Sequence, residues 1–72
     1  MQTVDFQLRG KFVALCDLLK LASVADSGGQ GKAMVANGEV HVHGWLEDRK
    51  SAKIRAGQVV ECWGVRVSVV AG

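Results

Sequence analysis

The chain contains no proline and no tyrosine, and only two cysteines in its 72 residues. Without proline there is neither a rigid linker nor a proline-rich ligand segment. Cys16 and Cys62 are too few for a disulfide-dense secreted scaffold, and two buried thiols are the expected state. Long apolar runs are missing too. None approaches the ~18 residues of a membrane span, and the opening MQTVDFQLRG lacks the apolar core of a signal peptide. These absences point to a cytoplasmic protein with no membrane partner. Aromatic residues make up 6% of the chain, and in a chain this small Trp45 and Trp63 are expected to pack into the core.

An excess of one charge is also lacking: nine Lys and Arg stand against seven Asp and Glu, for a net +2. Such a balance does not single out nucleic acid, so only the distribution of charge can. The carboxylates Asp5, Asp17, Asp26, Glu39, Glu47, Asp48 and Glu61 are scattered, and no pair has the His or metal context that acid–base chemistry needs. His41 and His43, at i and i+2, supply half of a zinc site. Cys16 sits among leucines with no adjacent base to activate it. No enzyme, metal, cofactor or small-molecule substrate is expected.

With 49% hydrophobic and 22% charged residues, the chain is globular in composition and has room for a single domain over residues 1–72. TVDFQL alternates Val4, Phe6 and Leu8 against Asp5 and Gln7, the period of a half-buried strand. Arg9-Gly10-Lys11 breaks it as a solvated turn. The period then changes. In VALCDLLKLA, residues 13–22, Leu15, Leu18, Leu19 and Ala22 form the apolar stripe of an amphipathic helix.

Ser27-Gly28-Gly29-Gln30 fits a capping box: the Ser27 hydroxyl accepts from the Gln30 amide, and the Gln30 side chain reaches back to the Ser27 amide. In the helix that follows, Gly31 shares the inner face with Met34 and Val35 and permits close approach to the first helix. Asn37-Gly38 supplies the stop. Val40 and Val42 then alternate inward against His41 and His43, and Trp45-Leu46-Glu47-Asp48 reads as a turn with two apolar anchors. Ala56-Gly57 is a tight turn. Val59–Cys62 and Val65–Val70 are strands joined near Trp63-Gly64 as a hairpin. The fold class is α+β: two packed helices against a small, mostly antiparallel sheet.

Residues 49–55 hold four basic residues and no acidic one. With Lys32 on the second helix, Arg49, Lys50, Lys53 and Arg55 form a locally basic patch, the kind that neutralises phosphates and releases counterions. The start of the second helix at Gly28-Gly29-Gln30 adds free amides. SGGQGK is not a Walker loop, because Ala33 follows Lys32 where Ser or Thr is required. Gly28-Gly29-Gln30-Gly31 does match the Gly-x-x-Gly clamp of KH domains, a minor alternative.

Three runs, LCDLLK, SGGQGKAMVANGEVHVHG and DRKSAKIRAGQVV, resemble the RNA-binding domain named for ribosomal small-subunit protein S-four, also called the αL motif. Within it the chain is most similar to the small stand-alone bacterial YbcJ-like group. The resemblance spans about residues 15–60. Its most specific passages are Gly38-Glu39-Val40-His41-Val42-His43-Gly44 and Arg49 to Ile54. The resemblance implies a non-catalytic module that holds structured RNA, of the rRNA or tRNA class, with its second helix and the loop after the following strand. Carried over by residue, the RNA contacts are Gln30, Lys32, His43, Arg49, Lys50 and Lys53, and a ribosomal particle is a possible setting for a monomer. The chain departs from the broad family in having Gly28-Gly29 where Ser-Arg is frequent, and His43 where Asn is usual. The alternative function is a protein-interaction module that uses Val65–Val70 as an exposed edge strand.

Overall fold

The computed structural model describes residues 2–72. Its elements run β1 (Gln2–Leu8), β2 (Val13–Ala14), α1 (Leu15–Leu21), α2 (Gly28–Ala36), β3 (Val40–Val42), β4 (Trp45–Leu46), β5 (Lys53–Ile54), β6 (Val59–Cys62) and β7 (Val65–Ala71). Five strands form one sheet in the order β1-β7-β6-β3-β4, and β2 pairs with β5 in a second, two-stranded sheet. All pairings are antiparallel except β1 with β7.

The register explains why the alternation seen along each strand produces a core. Val4 and Phe6 lie opposite Val67 and Val69, Val67 opposite Val60, and Cys62 opposite Val40. With a period of two, these residues share one face. Leu15, Leu18 and Leu19 of α1 and Met34 and Val35 of α2 are fully or almost fully buried and join Val40, Val60, Cys62, Val67 and Val69 in one cluster, with Phe6 packed against it. The opposite face carries Thr3, Asp5, Arg66, Ser68, Glu61 and His41 in matching register. There Arg66 and Glu61, cross-strand partners, approach to 3.8 Å.

The helices follow the expected signals with three adjustments. Helix α1 starts two residues later than the apolar stripe predicts, because Val13 and Ala14 pair with Ile54 and Lys53. The N-cap of α2 is Ser27, whose Oγ accepts from the Gln30 amide at 3.1 Å. The return bond of the capping box, however, goes to the Asp26 amide, one residue before the expected Ser27. Gly28 to Gly31 form the first turn of α2, not a loop, which removes the KH-type clamp. The helix stops at Asn37, and Gly38 takes the left-handed backbone at φ 74°.

Two expectations are overturned. Val65–Val70 is not an edge: β7 is paired on both sides, by β1 and β6, with Val67 and Val69 buried. Its two rows of backbone groups are therefore already satisfied, and the surface assigned to a protein partner there does not exist. Nor do the tryptophans enter the core. Trp45 is 79% exposed and Trp63 55% exposed. The reason is local. His43-Gly44 and Trp63-Gly64 each have two successive positive φ values, the mark of two-residue type I′ hairpins. The turn thus falls at His43-Gly44, Trp45-Leu46 become a short strand at the sheet edge, and Trp63 occupies a hairpin tip.

Candidate nucleic-acid interface

The basic run is held by its backbone, not by its side chains. Helix α1 has Ala14 at its N-cap, which offers no side-chain acceptor for the first amides. The loop supplies the acceptors instead: the Leu15 amide donates to the Ala52 carbonyl at 2.9 Å and the Cys16 amide to the Lys50 carbonyl at 3.0 Å. Ala52 and Ile54 turn inward and are buried, while Ser51, Lys53 and Arg55 alternate outward. What reads as a basic turn is thus a pinned loop running into strand β5. Arg49, Ser51, Ala52, Lys53 and Arg55 line one open groove of about 320 Å³.

Arg49 has a carboxylate neighbour. Its Nε lies 3.4 Å from Glu47 Oε2, which also accepts from the Arg49 amide at 3.2 Å. The Arg49 side chain holds the Glu47 carboxyl below the usual carboxylate range. Because the Arg49 side chain is 76% exposed, the pair stabilises the fold little and leaves the guanidinium open to a stronger anion.

Phe12 is the residue that sequence reasoning missed. Lys53 Nζ lies 4.9 Å and Arg55 Cζ 5.9 Å from the centre of its ring, both within cation–π range. The β2–β5 register, with Val13 opposite Ile54, brings Phe12 to these cations. The available signal was an aromatic residue directly after the basic Arg9-Gly10-Lys11. Arg55 belonged to the basic run but was not carried into the expected contact set, although it lines the groove beside Arg49 and Lys53.

Helix α2 reaches the same region through one residue. A Cβ on Gly31 would lie 2.7 Å from the Cys16 carbonyl oxygen, so the two helices touch there backbone to backbone. The Cys16 amide meanwhile holds the Lys50 carbonyl. The two ends of Cys16 therefore join α2 to the basic loop, and Lys32, exposed and next to Gly31, is tied to the Lys50 backbone through it. Lys50 is exposed as well, outside the groove lining. Gln30 is half-buried and engaged in the cap by both its amide and its side chain. His43 sits exposed at the tip of the β3–β4 hairpin, its amide donating to Val59. Of the six expected contact residues, Arg49 and Lys53 share the groove, Lys32 and Lys50 flank the Cys16 joint, and Gln30 and His43 line neither.

Both cysteines are buried and free. Burial pushes the Cys62 thiol up to about 11, with the Glu39 carboxylate adding to the shift. Among the described residues no group of three or more His, Cys, Asp or Glu is placed to hold a metal ion, and no helix is long and apolar enough to cross a membrane.

Comparison with known proteins places this geometry. A family model described as the S4 domain matches residues 6–70. YbcJ of Escherichia coli (strain K12) and YbcJ of Shigella flexneri are each 52% identical over 59 residues, covering 82% of this chain and 84% of theirs. The solution structure of YbcJ from E. coli, described as revealing an αL motif involved in RNA binding, superposes with a TM-score of 0.67 at 45% identity. It covers 99% of this chain and 89% of that one.

Proposed function

This chain belongs to the S4 domain family, and from that premise we propose that it is a non-catalytic RNA-binding protein that holds structured RNA of the ribosomal or transfer class. The observation that carries the reading is the convergence of Arg49, Lys53 and Arg55 on one groove fixed to the start of α1. Lys32 and Lys50 extend the positive surface along the helix joint. Gln30 and His43 are its outer contacts. These cations neutralise backbone phosphates and release counterions, so affinity follows charge and shape more than sequence. An A-form stem is read in this way, because its deep major groove admits no side chains. The protein acts as a monomer in the cytoplasm, on RNA free or within a ribosomal particle.

The test is a salt series on a structured rRNA and tRNA mixture, with the wild type and an Arg49→Glu/Lys50→Glu/Lys53→Glu variant. Five engaged cations give a log–log salt slope of roughly −3.5 to −4.5, and removing three leaves about −1.5. The variant is checked for folding by circular dichroism. If the wild type shows no salt-dependent binding, the groove is merely a solvated surface and the RNA-binding reading falls.

A further inference from the structure

Phe12 lines one depression and lies beneath two cations of another. Lys53 and Arg55, which sit over its ring, line the basic groove. The ring itself lines a second cavity of about 500 Å³, within the size range of small-ligand sites. Its apolar wall is Phe6, Leu8, Phe12, Val13 and Leu21. Phe12 is 44% and Leu21 60% exposed, so two large apolar side chains face this cavity outside the core. Its lining also includes the cation Arg9, and Asp5 and Gln7 of the edge strand β1, whose side chains alternate to the other face from Phe6 and Leu8. None of these residues belongs to the phosphate-binding set.

We infer that this cavity takes the base of an unpaired nucleotide next to the stem held in the basic groove, with Phe12 as the stacking surface and Arg9 on the adjoining phosphate. The inference rests on the RNA-binding reading and extends it from a stem to a junction between paired and unpaired RNA. Three observations select this occupant. The cavity adjoins the phosphate groove at the Phe12 ring, over which two of the groove's cations sit. An aromatic ring beside cations suits any base, because every base offers a π-face. Arg9 in the cavity lining and Lys53 and Arg55 over the ring bring three cations to this site, so the surroundings favour an anionic backbone.

The experiment uses a blunt RNA stem–loop and the same stem–loop with a short single-stranded extension, at the 5′ or the 3′ end, carrying 2-aminopurine. The readouts are the ratio of the two affinities and the quenching of 2-aminopurine. The expected wild-type ratio is about tenfold in favour of one extended RNA, the order contributed by one base stacked on an aromatic ring. In Phe12→Ala and in Leu21→Ser the ratio falls to about one and the quenching disappears, while Phe12→Trp retains both. Leu21 is exposed and outside the basic groove, so its variant separates base binding from any displacement of Lys53 and Arg55. A wild-type ratio of one with blunt binding intact overturns the inference and leaves the RNA-binding reading standing. A ratio that survives both Phe12→Ala and Leu21→Ser also overturns it. If the wild type binds neither RNA, both readings fall.

Discussion

Gly31→Ala is the substitution whose outcome depends most directly on the geometry of this fold. In an exposed helix position, glycine to alanine gains about 1 kcal/mol of helix propensity. At Gly31 the new Cβ would lie 2.7 Å from the Cys16 carbonyl oxygen and 3.5 Å from its C and Cα. All three are backbone atoms, so no side-chain rotation relieves the contact and α1 and α2 must separate. Overpacking of this kind costs typically 1–3 kcal/mol, a few kcal/mol when the neighbour cannot yield. The net expectation is a loss of about 1–2 kcal/mol, or roughly 5–15 °C in Tm for a domain of this size. Gly29→Ala is the internal control. It lies in the same helix, and its Cβ would meet only Ser27 Oγ at 3.8 Å. That variant should hold or gain stability, by up to about 1 kcal/mol. Both are measured by thermal and urea unfolding. Because the Gly31 contact also sets Lys32 against the Lys50 loop through Cys16, Gly31→Ala should weaken RNA binding even where the protein is fully folded, and Gly29→Ala should not. Equal or higher stability for Gly31→Ala would refute the close-contact argument.

Two further predictions address the hairpins and the thiols. His43 has φ 51° and is followed by Gly44 at φ 80°, so Val at position 43 should cost about 1–2 kcal/mol in a thermal melt, whereas Asn should match the wild type. Equal Tm for His43→Val and His43→Asn would contradict the assigned turn. The Cys62 thiol, pushed up to about 11 by burial, should resist alkylation at pH 8 by peptide-level mass spectrometry, since only roughly one molecule in a thousand carries the thiolate. Its pKa is raised in the folded state, so its contribution to stability is full below the unfolded value of 9.0 and declines as pH rises from there through about 11. Urea midpoints between those values should therefore fall more steeply for the wild type than for Cys62→Val, and parallel curves would dismiss the shift.

Local chemistry was legible in the sequence because each signal is carried by neighbouring residues. The alternation of Val4, Phe6 and Leu8, the leucine stripe of α1, the Ser27 cap and the Asn37-Gly38 stop all have this property. Gly31 could be read as a contact residue because it recurs on the face of Met34 and Val35, both buried. What was hidden depends on distant pairing. Nothing in Gln2–Leu8 announces that it adds parallel to β7, and that pairing alone turns the C-terminal strand from an edge into an interior strand. Val13 and Ala14 continue the helical pattern of the leucines, yet two residues of β5 capture them. Trp45 and Trp63 show that hydrophobicity and burial are separate quantities: the backbone of each two-residue turn decides where the side chain goes before packing can. Phe12 escaped for a related reason. It lies in neither the strand's alternation nor the helix's stripe, and its partners Lys53 and Arg55 are about forty residues away in the chain.

The same arrangement explains how a domain of net charge +2 can present a locally cationic surface without losing stability to it. The loop is fixed by carbonyls of Lys50 and Ala52 and by the buried side chains of Ala52 and Ile54, not by the charged heads of Arg49, Lys50, Lys53 or Arg55. Those heads are exposed, and exposed substitutions of this kind usually change stability by no more than about 0.5 kcal/mol. Affinity at these positions can therefore be altered while the loop keeps its path. Gly31 presents the opposite case: it carries no charge and offers no side chain to a ligand, yet adding one methyl group displaces the helix that bears Lys32. On the proposed function, stability and binding should be separable along the basic loop and inseparable at the Cys16 joint. Paired measurements of both quantities on Arg49→Gln and Gly31→Ala should therefore fall on different lines, the first losing affinity alone and the second losing both.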